Sequence, residues 1–274
     1  MRIAAIRSQN GKIFGTVNSN SGSGSGSGGI FRPLLSGGKE VHDLREIIAL
    51  LRAGKLDLGA PVGLDTVKLA APVGPLAKNV ISVGKNYHDH AQEFARSGFD
   101  QSGDKIEVPE APVVFTKAVT ALADPGQGLP ASSDSSNSTD YEGELGVVIG
   151  RRVKNVKNAE DAYAAVFGYT IVNDATARMV QQKHKQWFLG KSLDGYCPVG
   201  PVLVTADEFG RPDAQELITT VNGERRQYAR LRDLIATGTP AGVGIGFKPP
   251  KFLKKGDAVA MEVDGIGRLI NQVG

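Results

Sequence analysis

Asp140-Tyr-Glu-Gly-Glu-Leu-Gly-Val-Val-Ile-Gly150, followed after a short interval by Gly168-Tyr-Thr-Ile-Val-Asn-Asp174, is the part of the chain that decides how the rest is read. Glu142 and Glu144 stand two residues apart at the head of a β-branched run, Val147, Val148 and Ile149. In a strand that spacing puts both carboxylates on one face. Asp174 ends a second apolar run, Tyr169 to Val172, so if the two strands are neighbours a third carboxylate joins the pair. Three hard oxygen donors suit Mg²⁺, Mn²⁺ or Ca²⁺ better than zinc. Spacing alone fits equally well the solvated face of an amphipathic sheet, and the motifs around the stretch have to decide.

The 274 residues could form one large domain or a small one and a large one, and are ample for a buried core. No apolar run approaches the ~20 residues of a membrane span, so no membrane role is expected. The net charge of +3 is spread along the chain, without the basic stripe of a nucleic-acid binder. Met1 to Arg7 is too short in its apolar part for a secretory signal, and Cys197 is the single cysteine; the cytosol is the expected compartment and a buried inert thiol the expected state of Cys197.

From the N-terminus, segments 2–7 and 12–17 flank Gln9-Asn10-Gly11, and Asn-Gly between β-rich segments predicts a hairpin. Ser19 to Gly29 is almost pure Ser and Gly and predicts a surface loop. Leu44, Ile47, Ile48, Leu50 and Leu51 recur at helical spacing within Val41 to Ala53, with Gly54 placed as a left-handed cap. His42 is expected to be exposed or capping. The Pro- and Gly-punctuated stretch Leu56 to Ala77 reads as a connector, which sets the expected division into a small N-terminal domain, 1–73, and a larger one, 74–274.

Val80 to Val83 is strand-like and leads into Asn86-Tyr87-His88-Asp89-His90-Ala91-Gln92-Glu93. On a helix His90 and Glu93 share a face within hydrogen-bonding reach, a base with the group that orients it. His88 faces elsewhere. Val113 to Lys117 is again a strand, Ala131 to Thr139 a Ser-rich loop bordering the carboxylates, Ala159 to Val166 a short helix, and Ala258 to Val263 with Arg268 to Val273 a strand pair closing the sheet. Gly238-Thr-Pro-Ala-Gly-Val-Gly-Ile-Gly246 lacks the Gly-Lys-Ser/Thr ending of a phosphate loop and fits no nucleotide fingerprint.

Taken in order, these motifs, with Val114 to Lys117, Gln186-Trp187, Gly190 to Asp194 and Pro198 to Pro201, resemble the fumarylacetoacetate hydrolase family, in particular its smaller members acting on acylpyruvates, oxaloacetate and related 2-oxo acids. The resemblance covers Val80 to Val273. It implies a β-rich α+β fold, a mixed β-roll with a small N-terminal domain, and a homodimer. It implies Glu142, Glu144 and Asp174 as ligands of Mg²⁺ or Mn²⁺, with Ca²⁺ as an alternative; His90 and Glu93 as the water-activating dyad; Lys117 and Lys191 as cations at the reacting centre; and Thr239 and Arg178 as substrate contacts. The substrate would be a small 2-oxo or 2,4-dioxo acid, cleaved by C–C hydrolysis or decarboxylated. Keto–enol tautomerisation or isomerisation at the same site, and a non-catalytic scaffold, are the other readings. Two departures from the family pattern stand out. Met179 replaces the Asp that usually follows the arginine, and Tyr228 to Thr237 is short where the family carries a helical segment. His184, in a Lys-rich stretch, is expected at the surface or an interface.

Overall fold

The structure, a computed structural model, describes residues 1–9, 11–18, 29–99, 110–231 and 238–274. The Ser/Gly run up to residue 28 and most of the shortened join, 232–237, lie outside the described residues. Arg2–Ser8 (β1) and Gly11–Val17 (β2) form the expected hairpin, with Ile3 opposite Thr16 and Ser8 opposite Gly11. Gly11 has φ +113°, a conformation that costs glycine nothing and other residues a good deal. Ile30–Ser36 (β3) adds to the outer side of β2. Helix Leu44–Arg52 (α1) buries Leu44, Ile47 and Ile48. It starts three residues later than the hydrophobic pattern suggests because Asp43, in extended conformation, accepts the Arg45 N–H and caps it. Gly54 follows with φ +63°, as the sequence predicts, and His42 is exposed, bonded through Nδ1 to the Lys12 carbonyl at 2.7 Å.

Val80–Gly84 (β4) and Val113–Lys117 (β5) pair antiparallel as a separate two-stranded ribbon, with helix His88–Arg96 (α2) between them in sequence. Gly143–Ile149 (β6) and Val166–Asn173 (β7), joined through the short helix Ala159–Tyr163 (α3), pair antiparallel with Gly143 opposite Asn173 and Glu144 opposite Val172. The two strands carrying the acidic residues are therefore neighbours. Helices Arg178–His184 (α4) and Phe188–Lys191 (α5) lead to Cys197–Thr205 (β8), buried along its whole length. The large sheet runs β6, β7, β8, β1, β2, β3 and then Lys39–Glu40, eleven strands with its side branches. It takes strands from both sides of residue 73.

Glu216–Val221 (β9), Glu224–Arg230 (β10), Ala258–Val263 (β11) and Gly267–Gln272 (β12) make a second sheet, ordered β10, β9, β11, β12. The last two strands pair as expected but close this four-stranded sheet rather than the large one. Its apolar face, with Leu217, Val259, Met261 and Leu269, shares one core with Leu145, Ile171 and Val204 of the large sheet and with Tyr141 just ahead of β6. The molecule is strand-rich α+β. Among the described residues no helix is long and apolar enough to cross a membrane.

β7 and β8 approach closely at Gly168, where an added Cβ would stand 2.3 Å from the Val204 carbonyl oxygen. Backbone cannot yield as a side chain can, so Gly168→Ala should destabilise the protein by about 1–3 kcal/mol. The urea midpoint should fall with the slope unchanged; an unshifted midpoint would mean that β7 and β8 separate freely there.

Candidate active site

Glu142, Glu144 and Asp174 converge at the start of β6 and the end of β7, each buried, with one oxygen from each lying within 4.8 Å of the others. Glu142 stands just ahead of β6, held by its N–H to Asn173 Oδ1 at 3.2 Å and by its carbonyl, which accepts the Asp174 N–H at 2.9 Å. Three buried cations run through the acids. Lys117 Nζ, at the end of β5, donates to Asp174 Oδ1 at 2.6 Å; Lys191 Nζ, at the end of α5, reaches Asp174 Oδ2 at 2.8 Å and Glu142 Oε2 at 2.7 Å. Arg178, opening α4, sets Nη2 2.7 Å from Glu142 Oε1 and donates from Nε to Asp140 Oδ2 at 2.8 Å. Both lysines and the arginine are essentially inaccessible to solvent.

Burial taken alone would raise every carboxyl here. For Glu142 it is outweighed by Lys191, then Arg178 and His90, which hold the group down at about 2. For Glu144 burial is joined by repulsion from Asp174 and Glu142, and the two lysines do not compensate, so its pKa is pushed well above 4.5. The Glu144 carboxylate is not among the groups that Lys117, Lys191 and Arg178 bind directly: those three reach Asp174, Glu142 and Asp140, and Lys85 is a further buried cation on the wall of the same cavity. A hard divalent cation between Glu142, Glu144 and Asp174 would supply a direct partner, and the all-oxygen donor set suits Mg²⁺, Mn²⁺ or Ca²⁺.

The second group of residues comes from α2. His90 Nδ1 lies 3.2 Å from Glu93 Oε2, and both are turned inward while His88 is exposed. The carboxylate selects the tautomer with the proton on Nδ1, which leaves Nε2 as the basic nitrogen. Glu93 is itself fixed by the glycine loop, accepting the Gly242 N–H at 2.9 and 3.2 Å. The alternating glycines have separate reasons. Gly242 has φ +103° and an added Cβ would fall 1.8 Å from the Arg226 carbonyl oxygen; at Gly246 it would fall 1.8 Å from Glu93 Oε1.

His90, Glu142, Glu144, Arg178, Lys191 and Thr239 line one cavity, closed over by Phe94, Phe115 and Trp187. Its volume is about 20 Å³, room for roughly one water-sized occupant. Gly84 lets the Trp187 ring lie flush against β4, since a Cβ there would meet it at 2.3 Å. Lys117 and Glu93 stand behind this cavity wall, one against Asp174 and the other against His90. The Thr239 hydroxyl donates to the Gly143 carbonyl at 3.1 Å and accepts from Gln227 Nε2 at 2.7 Å, so it is engaged within the protein. Arg178 is engaged likewise by the two carboxylates and by Gln181 Oε1 at 3.3 Å. Met179 is exposed and His184 lies at the surface. The Ser-rich loop meets the site through Arg178, whose backbone N–H donates to the Ser138 carbonyl at 3.1 Å; Asp134 accepts the Ser136 and Ser138 N–H groups, and the Ser138 hydroxyl accepts the Met179 N–H at 2.9 Å. Cys197 is buried, its thiol pushed up to about 12 by desolvation, and is inert as expected.

Sequence reasoning missed Asp140, Gln227 and the aromatic wall. Asp140 had a signal, because acids at 140, 142 and 144 continue one period-two pattern; Gln227, in the polar-looking strand β10, had none.

The elevated Glu144 has a consequence for the metal-free protein. An unfolded chain ionises this group near 4.5 while the folded chain resists, so stability is full below that value and is lost as pH rises through the elevated one. Glu144→Gln removes the penalty. In chelator at pH 8 the variant should exceed wild type by about 1–3 kcal/mol, with the difference vanishing near pH 4. Thermal unfolding across pH measures it, and a variant less stable than wild type at pH 8 would show that Glu144 is compensated in some other way.

Two matches to the family model described as Fumarylacetoacetate (FAA) hydrolase C-terminal cover residues 79–235 and 229–274. Their overlap falls at the shortened join noted in the sequence. The chain is 41% identical to oxaloacetate tautomerase YisK of Bacillus subtilis (strain 168) over 90% of this chain and 87% of that protein. Among solved structures, a fumarylacetoacetate hydrolase from Exiguobacterium antarcticum is 33% identical with TM-score 0.77, covering 100% of this chain and 99% of that one. A 2-hydroxyhepta-2,4-diene-1,7-dioate isomerase from Mycobacterium marinum is 30% identical with TM-score 0.71, covering 100% and 98%. With its strand-rich fold and buried acidic trio, this chain belongs to the fumarylacetoacetate hydrolase family.

Proposed function

We propose that this protein is a divalent-metal-dependent enzyme that moves a proton on a small 2-oxo acid, interconverting the keto and enol forms of an oxaloacetate-like dicarboxylate. The observation that carries this reading is a single oriented base, His90, on the wall of the cavity lined by Glu142 and Glu144. The similarity to a protein named as an oxaloacetate tautomerase supports the substrate class. Glu142, Glu144 and Asp174 would hold Mg²⁺ or Mn²⁺, with Ca²⁺ as the alternative, and the ion would supply charge stabilisation to the 2-oxo carboxylate. Each remaining residue has a task of its own. His90 Nε2 takes the proton from the carbon beside the carbonyl and returns it, while Glu93 holds the ring and stabilises its cation. Lys191 and Lys117 hold the acids in place and offset negative charge as it develops. Phe94, Phe115 and Trp187 keep water from competing for the proton.

The similarity to a hydrolase structure favours a second reading on the same residues. If His90 deprotonates a water rather than the substrate carbon, the outcome is C–C hydrolysis of an acylpyruvate; decarboxylation of a β-oxo acid needs the electron sink and no base. We further propose a cytosolic homodimer. The outer face of the β4–β5 ribbon exposes Ile81 (67%) and Val114 (61%), and the edge strand β6 exposes Ile149 (57%), an apolar surface of the kind a second copy covers.

Two measurements test these proposals. His90→Ala should slow enol–keto conversion of oxaloacetate, followed by ultraviolet absorbance, by about 10²- to 10⁴-fold, while calorimetric binding of Mn²⁺ and oxalate persists. Hydrolysis of an acylpyruvate by wild type, at a rate above that of tautomerisation, would favour the second reading, and absence of metal-dependent oxalate binding would favour a non-catalytic relative. In light scattering the protein should run at twice the monomer mass, and Ile81→Asp should shift it to monomer; a monomeric wild type over a wide concentration range removes the dimer.

A further inference from the structure

The acidic trio and the His90–Glu93 pair arrive from different parts of the chain, and catalysis needs them at a fixed separation. Among the described residues, Asp140 touches what holds both. Its carboxylate is buried and accepts four bonds, from donors on three sides. Oδ1 takes the N–H of Tyr141 at 2.9 Å and of Gly244 at 2.7 Å; Oδ2 takes Arg178 Nε at 2.8 Å and the Ile245 N–H at 3.2 Å. In one direction Arg178 carries the contact on to Glu142 Oε1 at 2.7 Å. In the other, the loop whose Gly244 and Ile245 amides Asp140 holds is the loop whose Gly242 amide holds Glu93. That loop is seated tightly: a Cβ at Gly244 would stand 2.5 Å from the Lys251 carbonyl and 2.6 Å from Asp140 Oδ1, and one at Gly246 would strike Glu93.

We propose that Asp140 is a positioning residue that fixes the distance between the acidic trio and the His90–Glu93 pair, through Arg178 on one side and the Gly242–Gly246 backbone on the other. The inference rests on the catalytic reading above for its rate predictions but not for its structural ones. Only an acceptor-only group can serve here, because every neighbour of the carboxylate is a donor. An asparagine would turn its NH₂ either toward Arg178 and the Ile245 amide or toward the Tyr141 and Gly244 amides, and would release a loop amide in either orientation.

Asp140→Asn is therefore the first test. It should lower kcat by about 10²-fold with KM changed by less than about 3-fold, the signature of misplaced groups rather than lost binding. In a Glu93→Gln background the same substitution should cost less than about 3-fold, because both changes act on one linkage. The chain has four histidines, so ¹⁵N spectra of the imidazoles can follow His90 directly. In wild type His90 should hold the Nδ1–H tautomer, and in Asp140→Asn it should shift toward a mixture while the other three are unchanged. The spectra need neither substrate nor activity, so they decide the role of Asp140 even if the proposed reaction proves wrong. Asp140→Glu keeps the negative charge beside Arg178 and serves where the Asn variant does not fold. Its extra methylene should displace the loop and give the same spectral change, with a similar loss of kcat. Fully additive losses with Glu93→Gln, an unaltered His90 signal in both variants, or full activity in Asp140→Glu would each overturn the proposal.

Discussion

A buried chain of alternating charges, with one carboxylate standing outside it, is the constraint around which this molecule is arranged. Taking an ion from water into a protein interior costs several kcal/mol, recovered only where a partner and hydrogen bonds wait for it. Asp140, Arg178, Glu142, Lys191, Asp174 and Lys117 meet that condition as an unbroken alternation of sign, each link under 3 Å. Glu144 is left over, facing two acids. Lys117, Lys191 and Arg178 are already bound to the other acids. A carboxylate buried outside such a chain costs stability, and a bound cation would offset that cost.

The glycine-rich loop has the complementary property. Polar backbone is usually satisfied inside regular structure, yet here three amide donors within four residues, at 242, 244 and 245, are directed at carboxylates from two other elements. That arrangement explains why the loop carries glycine at alternate positions without any phosphate to cradle. Side chains would stand where the carboxylates and the neighbouring carbonyls approach.

Much of this was legible in the sequence, for a physical reason. Glu142, Glu144 and Asp174 lie at strand ends, where period-two alternation and neighbouring apolar runs fix the geometry from a few residues. His90 and Glu93 lie within one turn of helix, where spacing alone places them together. What could not be read was set by long-range packing. The C-terminal strands form a second sheet because their apolar faces meet Leu217 and Tyr141, contacts no local pattern encodes. Gln227 is buried in a strand that otherwise reads Glu-Arg-Arg, and Thr239 spends its hydroxyl on Gly143. Arg178, expected at the substrate, does line the cavity, and its bonds to Asp140 and Glu142 became visible only once the four acids were in one place.

The cavity's small volume has a mechanical meaning, because its wall cannot be moved without moving the groups that line it. The inward wall is made partly by α2, and α2 also carries His90 and Glu93. The wall and the His90–Glu93 pair are therefore one body: any displacement of α2 that enlarges the cavity carries the imidazole and its carboxylate partner away from Glu142 and Glu144 at the same time.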